Sequence, residues 1–253
     1  MFLRCRSTQA EYFDRPERTA AEVAAAFREL GRANRLFQFA RPFWQVLPGW
    51  LGEERCRRLE FLDLGAGDGA LGRELTAWAE RRGWVWRFTS LDLCPFALEL
   101  DGGRRRVAGS VLALPFKDGS FDVVVASQMT HHLESEEEVR RHFAEAWRVS
   151  RDAVLLCDLH RNAALYCLVW LGCRATGLSR EMREDGLIST RRSFRVPEWR
   201  RLAAGAGLAG AEVNLFYGLR LLLRARKGTG KGEDREREGR VEKGTLQLSA
   251  AAE

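Results

Sequence analysis

Short apolar runs alternate with helix-like segments through the middle of the chain. Apolar runs rich in aliphatic or β-branched residues cover 58–64, 84–92, 121–126 and 153–160, and a weaker run lies within 105–114. Helical spacing of apolar positions appears at 70–82, within 94–101 and over 134–150. This alternation predicts a mostly parallel sheet with helices on both faces, joined by right-handed crossovers.

The two ends of the chain depart from this alternation. Helix-like intervals over 19–50 predict one or two helices packed over or beside the main fold, and 161–194 read as a helical insertion. A helix over 197–208 and two strands around a Tyr217-Gly218 turn predict an antiparallel hairpin at the sheet edge. We therefore expect a single domain over 1–226, with a helical extension at 18–50, a lid at 161–194 and a disordered charged tail at 227–253.

A glycine-rich turn joins the first predicted strand to the first helix. Gly65, Gly67 and Gly69 stand where open α/β sheets bind nucleotides, although such a turn can also serve only to pack a helix on a strand. Asp92, at the end of the second strand, can accept hydrogen bonds from ribose hydroxyls and would serve NAD equally well. Asp63, inside the first strand, can receive the cationic amino group of a methionine tail, which favours S-adenosylmethionine, as does the terminal hairpin.

Four segments together carry a family resemblance. The segments "LDLGAGDG", "LDLCP" and "GSVLALPFKDGSFDVVVASQMTHHL", with the terminal hairpin, resemble class I S-adenosylmethionine-dependent methyltransferases, specifically the small-molecule branch that includes the ubiquinone and menaquinone biosynthesis methyltransferases. The resemblance covers residues 59–227. It implies a Rossmann-like, mostly parallel seven-stranded sheet with a C-terminal antiparallel hairpin. Residues 30–44 and 157–194 are similar to a bacterial subgroup linked to polyketide-like or lipidic metabolites.

The resemblance also implies a set of cofactor contacts. The Asp63 side chain and the turn backbone would hold the methionine moiety, and Asp92 the ribose. Ser110 stands where the family commonly has an aspartate for the adenine amino group, so this contact departs from the pattern. Ser127 and Gln128 would line the sulfonium side. The predicted cofactor-binding residues are Asp63, Gly65, Ala66, Gly67, Asp92, Leu93, Ser110, Val111 and Ser127.

Three histidines are candidates for acid–base chemistry on the methyl acceptor. His131 and His132 follow the fourth strand, and His160 follows the fifth, beside Asp158. Histidine is the natural general base near neutral pH. The alternative is that one of the adjacent pair is a packed loop residue and the other is exposed to solvent.

The charge and the cysteines exclude several classes of function. The net charge is +6 with a pI near 9.3, but the charge forms no basic stripe, and lysine occurs at only four positions, so arginine makes up 37 of the 41 basic residues. The position after the fourth strand reads "ASQM" rather than an N/D-P-P-Y/F turn, and Cys94-Pro95 follows the wrong strand for base methylation, so nucleic acid is disfavoured as acceptor. The six cysteines form no C-x-x-C pair, so we predict no metal site and no disulfide framework.

No run of about 18 apolar residues and no signal-peptide core is present, which predicts a cytoplasmic protein.

The apolar run at 164–173 could cover the binding site of an apolar acceptor, contact a membrane surface, or be an ordinary buried helix. Arg161, Arg191 and Arg192 could pair with an acidic or phenolate group on the acceptor. We predict a methyltransferase for a small apolar or aromatic metabolite, at oxygen or carbon. The alternatives are a non-catalytic cofactor-binding module, an RNA methyltransferase and an NAD-dependent oxidoreductase.

Overall fold

Seven strands form one sheet in the computed structural model, which describes residues 3–12, 14, 18–102, 105–208 and 210–227. Their order is β3-β2-β1-β4-β5-β7-β6, in which β7 is antiparallel to both of its neighbours and the other pairs are parallel. This confirms the predicted mostly parallel sheet with a terminal hairpin. The strands are β1 (Arg58–Leu64), β2 (Val85–Asp92), β3 (Arg106–Ala108), β4 (Phe121–Ser127), β5 (Ser150–Leu159), β6 (Glu212–Phe216) and β7 (Arg220–Arg226).

Helices cover both faces of the sheet because its central strands are apolar on both sides. The cluster on one face contains Phe143 and Trp199, and the cluster on the other contains Phe43 and Leu75. The helices are α1 (Ala20–Phe37), α2 (Arg41–Leu51), α3 (Glu53–Cys56), α4 (Ala70–Glu80), α5 (Pro95–Leu100), α6 (Glu136–Val149), α7 (Ala163–Ala175), α8 (Arg180–Arg192) and α9 (Val196–Gly205), and a single 3-10 turn spans Thr130–His132.

Local sequence signals set most of these boundaries. The predicted capping box of α6 is present: the Glu138 N–H donates to Ser135 Oγ at 3.1 Å, and the Ser135 N–H donates to Glu138 Oε2 at 3.1 Å. α1 and α2 occupy the predicted 19–50 segment, with α2 ending one residue beyond it at Leu51, and α7 and α8 fall within 161–194. β5 begins three residues earlier than predicted. The tail from 228 to 253 lies outside the described residues.

An N-terminal strap, residues 3–12 and 14, crosses the carboxyl ends of β4 and β5. The Arg6 guanidinium donates to the backbone carbonyls of His131, at 2.8 Å, and of Leu133, and the Ser7 N–H donates to Arg191 O at 3.0 Å. The sequence predicted no such segment. Over the described part of the chain, no helix combines the length and apolar character needed to cross a membrane.

Candidate functional site

The glycine turn is fixed by its neighbours in space. The N–H groups of Gly65 and Ala66 both donate to Leu91 O, at 2.8 and 3.1 Å, so the turn is tied to the end of β2. Gly65 and Gly67 have φ of +66° and +56°. A Cβ on Gly65 would lie 2.2 Å from Met129 Cγ, and one on Gly67 would lie 2.5 Å from the ring of Phe27. The protein's own packing therefore requires these glycines, and they do not by themselves identify a ligand.

Asp92 clamps the same turn from the end of β2. Its Oδ2 accepts from the Gly67 N–H at 2.8 Å, and its Oδ1 accepts from the Cys94 N–H at 2.8 Å. Each carboxylate oxygen has a second lone pair, so the half-buried group can still accept hydrogen bonds from a ligand's hydroxyls. The side chain predicted to hold a ribose is thus held in place by two backbone donors.

Asp63 stands in β1, two residues before Gly65, and is almost fully buried. Its Oδ2 atom has no hydrogen-bond partner among the described residues. Burial raises the pKa of Asp63 well above its ordinary value, and the nearby carboxylates of Asp92, Asp101 and Asp68 raise it further. A buried, unpartnered carboxyl is a costly arrangement that a cationic ligand group would relieve. The site therefore fits the ammonium group of an amino-acid moiety.

The residues predicted beside the adenine and the sulfonium lie at the carboxyl ends of β2, β3 and β4. Leu93 is 75% exposed, and Ser110 Oγ accepts from the Leu112 N–H at 3.1 Å, which places Ser110 in a local turn beside the half-buried Val111. Ser127 is half-buried at the end of β4. Gln128, which follows it, has a φ of +55°, and its buried Nε2 has no partner within the described part of the chain. A strained residue with an unpaired amide is typical of a ligand site.

His131 forms a buried pair with Asp158 at the end of β5. His131 Nδ1 lies 2.7 Å from Asp158 Oδ1, and the His131 N–H donates to Asp158 Oδ2 at 2.9 Å. Burial acts to raise the pKa of Asp158, but the His131 ring and the backbone donors hold that pKa below its ordinary value. The carboxylate therefore fixes the orientation of the His131 ring and leaves Nε2 as the nitrogen available for chemistry. This Nε2 lies 3.6 Å from Glu11 Oε1.

The other two histidines differ in their surroundings. His132 Nδ1 lies 2.7 Å from Asp14 Oδ2 on the strap. Burial acts to lower the pKa of His132, but the carboxylates of Glu11 and Asp14 raise it to about 9. His160 instead contacts Asn162 at 2.7 Å, and burial lowers its pKa. The structure thus brings His131 and His132 together with strap carboxylates, whereas His160 has different partners.

Two of the three arginines predicted as candidates for the acceptor, Arg161 and Arg192, are buried and have partners within the protein. Arg161 is buried, pairs with Glu198 at 2.6 Å and donates to Ser193 O at 2.5 Å. Arg192 is also buried and donates to the carbonyls of His131 and His132 at 3.1 and 2.7 Å. Both side chains hold backbone segments in place. Sequence reasoning missed this role, and it missed Glu11 and Asp14, because no local motif marks contacts between such distant segments.

α7 is apolar on both its buried and its exposed side, and the buried side answers in part what its apolar run does. Leu165 and Val169 are buried in a small core formed with α1 and with residues near α8, as the buried-helix alternative predicts. Trp170 and Leu171 on the other side are 46% and 61% exposed. Arg174 lies over the Trp170 ring, 4.3 Å from its centroid. An apolar surface bordered by arginine therefore remains on the outside of this helix.

Comparisons with known proteins agree with this geometry. Residues 62–157 match the family model described as a methyltransferase domain. A search of curated proteins found no match. The structure of the plantazolicin methyltransferase BpumL, in complex with a monoazolic desmethyl analogue and S-adenosylhomocysteine, is 10% identical with a TM-score of 0.61, over 82% of this chain and 90% of that one.

Two further structures have the same fold. A methyltransferase dependent on S-adenosylmethionine from Aquifex aeolicus is 13% identical with a TM-score of 0.52, over 83% of this chain and 99% of that one. A Methanococcus maripaludis protein assigned to the same kind of enzyme is 14% identical with a TM-score of 0.55, over 86% and 98%. At these identities the three structures show a shared fold, and the family model supplies the reaction class.

Proposed function

We propose that this chain, whose residues 62–157 match a methyltransferase-domain model, is a class I S-adenosylmethionine-dependent methyltransferase and that it methylates a small, apolar or aromatic metabolite at an oxygen or carbon atom. S-adenosylmethionine is its cofactor. When bound, the cofactor supplies an electrophilic methyl group for in-line displacement. The chain contributes positioning, exclusion of water and, where the acceptor must lose a proton, a base.

The observation that carries the cofactor assignment is the unpartnered carboxyl oxygen of Asp63. This buried group stands two residues before Gly65, and the ammonium of the methionine moiety would give its oxygen the partner that the described residues do not. Asp92 would hold the ribose with the lone pairs left by its two backbone donors. Leu93, Ser110 and Val111 would border the adenine. Ser127, with Gln128, would lie at the sulfonium.

On the acceptor side we assign the chemical role to the pair on the 3-10 turn. Met129 packs against Gly65, and His131 follows only two residues later, so the turn adjoins the end of the methionine site. Asp158 orients the His131 ring, which makes His131 the better supported residue, with His132 beside it. His160 has the weakest support of the three predicted histidines, because it lies apart from this group.

Two observations support a small apolar acceptor. The BpumL structure contains a monoazolic analogue, so this fold can bind a molecule of that size. The exposed Trp170 and Leu171 of α7, with Arg174 beside them, offer an apolar surface that suits a lipidic or polyketide-like acceptor, or contact with a membrane surface from which such an acceptor is drawn. A cytoplasmic location remains a prediction.

The test is calorimetric titration with S-adenosylmethionine, S-adenosylhomocysteine and NAD. We expect both sulfur ligands to bind, and Asp92→Ala to weaken them by about 1–3 kcal/mol, the usual effect of stranding hydrogen-bond partners. Asp122→Asn is the matched control, because Asp122 lies near the other end of β4 and pairs with Arg151. Binding of NAD alone, or an equal loss in both variants, would contradict the cofactor assignment.

A screen of phenolic, quinone-like and lipid acceptors with labelled S-adenosylmethionine then tests the acceptor class. Transfer to one of these classes supports the proposal. Tight cofactor binding without transfer to any of them would favour the non-catalytic module instead.

A further inference from the structure

A cluster of atoms able to coordinate a metal ion lies where the strap meets the 3-10 turn. Glu11, His131 and His132 each present one ligand atom, and these three atoms lie within 4.8 Å of one another. Glu11 is only 6% exposed, and its Oε1 has no hydrogen-bond partner among the residues that the structure describes. This unpartnered oxygen lies 3.6 Å from His131 Nε2.

Each of the two histidines has a carboxylate on the same ring atom. His131 Nδ1 lies 2.7 Å from Asp158, and His132 Nδ1 lies 2.7 Å from Asp14. Hydrogen bonding at Nδ1 fixes the tautomer and leaves Nε2 as the nitrogen able to coordinate. Metal-binding histidines are almost always held by such an outer carboxylate or carbonyl partner. Asp158 and Asp14 therefore hold the two imidazole rings in the way that outer partners hold metal-binding histidines.

We propose that Glu11, His131 and His132 form a binding site for a divalent first-row transition-metal ion such as zinc or iron(II). Two histidines and one carboxylate are a recurrent ligand set for both ions. The 3.6 Å between Glu11 Oε1 and His131 Nε2 is close to the roughly 3.4 Å that separates two ligands about 2.1 Å from a tetrahedral ion. The sequence predicted no metal site because it offered no paired cysteines, and this set needs none.

The ion would have two consequences for the molecule. It would neutralise the buried Glu11 carboxylate and so fasten the strap to the end of β4. With three protein ligands, it would also keep a coordination position open beside the 3-10 turn. This second consequence rests on the proposed function: with both Nε2 atoms on the ion, the two histidines would act as ligands and not as bases. The ion would instead polarise a bound acceptor hydroxyl, whose proton would pass to solvent before methylation.

The test is zinc titration of the full-length, chelator-treated protein, by calorimetry and by competition with a chromogenic chelator. We expect one equivalent of zinc to bind. Glu11→Gln and His132→Gln should each weaken binding at least about tenfold, and Asp158→Asn by about 10–100-fold through the outer shell. Cys5→Ser is the matched control, because Cys5 is an exposed thiol on the same strap. Cobalt(II) in place of zinc should give ligand-field bands without a thiolate charge-transfer band.

Titration of S-adenosylhomocysteine into each variant separates this proposal from the proposed function. Glu11→Gln should lose zinc and keep the sulfur ligand, whereas Asp92→Ala should do the reverse; retained binding of the sulfur ligand also shows that a variant is folded. No stoichiometric zinc binding to the wild type, equal zinc affinity in the wild type and Glu11→Gln, or loss of zinc in Cys5→Ser would each overturn the metal site.

Discussion

The proposed cofactor side, around the glycine turn at 65–69, and the proposed acceptor side, around the 3-10 turn Thr130–His132, are built in different ways. On the cofactor side, the hydrogen bond between Gly67 and Asp92 joins residues only 25 positions apart, within two consecutive β-strand units. On the acceptor side, the contact between Asp14 and His132 spans 118 positions, and that between Arg6 and His131 spans 125. The first region can be recognised from one stretch of sequence. The second exists only when the strap, β4, β5 and α8 have come together.

The largest effect should come from adding a side chain to the glycine turn. Gly65→Ala places a Cβ 2.2 Å from Met129 Cγ at a φ of +66°, so backbone strain and overpacking add. We expect the free energy of unfolding to fall by about 2–5 kcal/mol, with loss of cofactor binding. Gly119→Ala is the control, since its φ is +61° but nothing lies within 4 Å of its Cβ, and it should lose only about 1 kcal/mol. Equal losses by chemical denaturation would show that packing at Gly65 is unimportant.

The matching change on the acceptor side is Arg192→Leu. It removes donors from the carbonyls of His131, His132 and Gln9, and should lower the free energy of unfolding by about 2–4 kcal/mol. Arg180→Leu on the same helix, where the side chain is 79% exposed, should stay within about 0.5 kcal/mol. The affinity for S-adenosylhomocysteine should be unchanged in Arg192→Leu. A parallel loss of that affinity would mean that the two sides are not independent.

These differences explain what the sequence could and could not predict. Periodicity and turn residues predicted β1, α4 and the hairpin, because those signals are local. The proposed roles of Asp63 and Asp92 were inferred from their positions, inside β1 and at the end of β2. Glu11 carries no signal of its own, because nothing near it in sequence marks it as a partner of a histidine 120 positions away. Arg192 was predicted as a possible partner of the acceptor because an arginine can pair with an acidic group. Its burial against backbone carbonyls could not be anticipated, since that burial depends on tertiary contacts alone.

A buried histidine in α6 should make the free energy of unfolding depend on pH, with an effect of intermediate size. His142 in α6 is fully buried, and burial lowers its pKa to about 4, although the Asp158 carboxylate opposes the shift. Between that value and about 6.5 the unfolded chain binds a proton that the folded chain does not, so stability falls as the pH falls. From about pH 8 to about pH 5 this group should account for a loss of about 2 kcal/mol.

The variant His142→Leu tests this account, because neither ring nitrogen has a partner among the described residues and an apolar side chain leaves nothing stranded. Urea denaturation at both pH values should show a smaller loss on acidification in the variant than in the wild type. An equal loss in the two proteins would assign the acid sensitivity to other groups.

The smallest expected effect is a release of protons from Asp63 when a ligand binds. Burial, followed by the nearby Asp92 carboxylate, raises the pKa of Asp63, so the unliganded protein keeps this proton to a higher pH than an ordinary aspartate would. The neutral carboxyl stabilises the fold fully below about pH 3.9, and this contribution is lost as the pH rises through the raised pKa. An ammonium ligand needs the carboxylate, so binding of S-adenosylhomocysteine should release a fraction of a proton and tighten as the pH rises. Calorimetry in buffers of different ionisation enthalpy measures that release, which Asp63→Asn should abolish; the same release in both proteins would place the proton on another group.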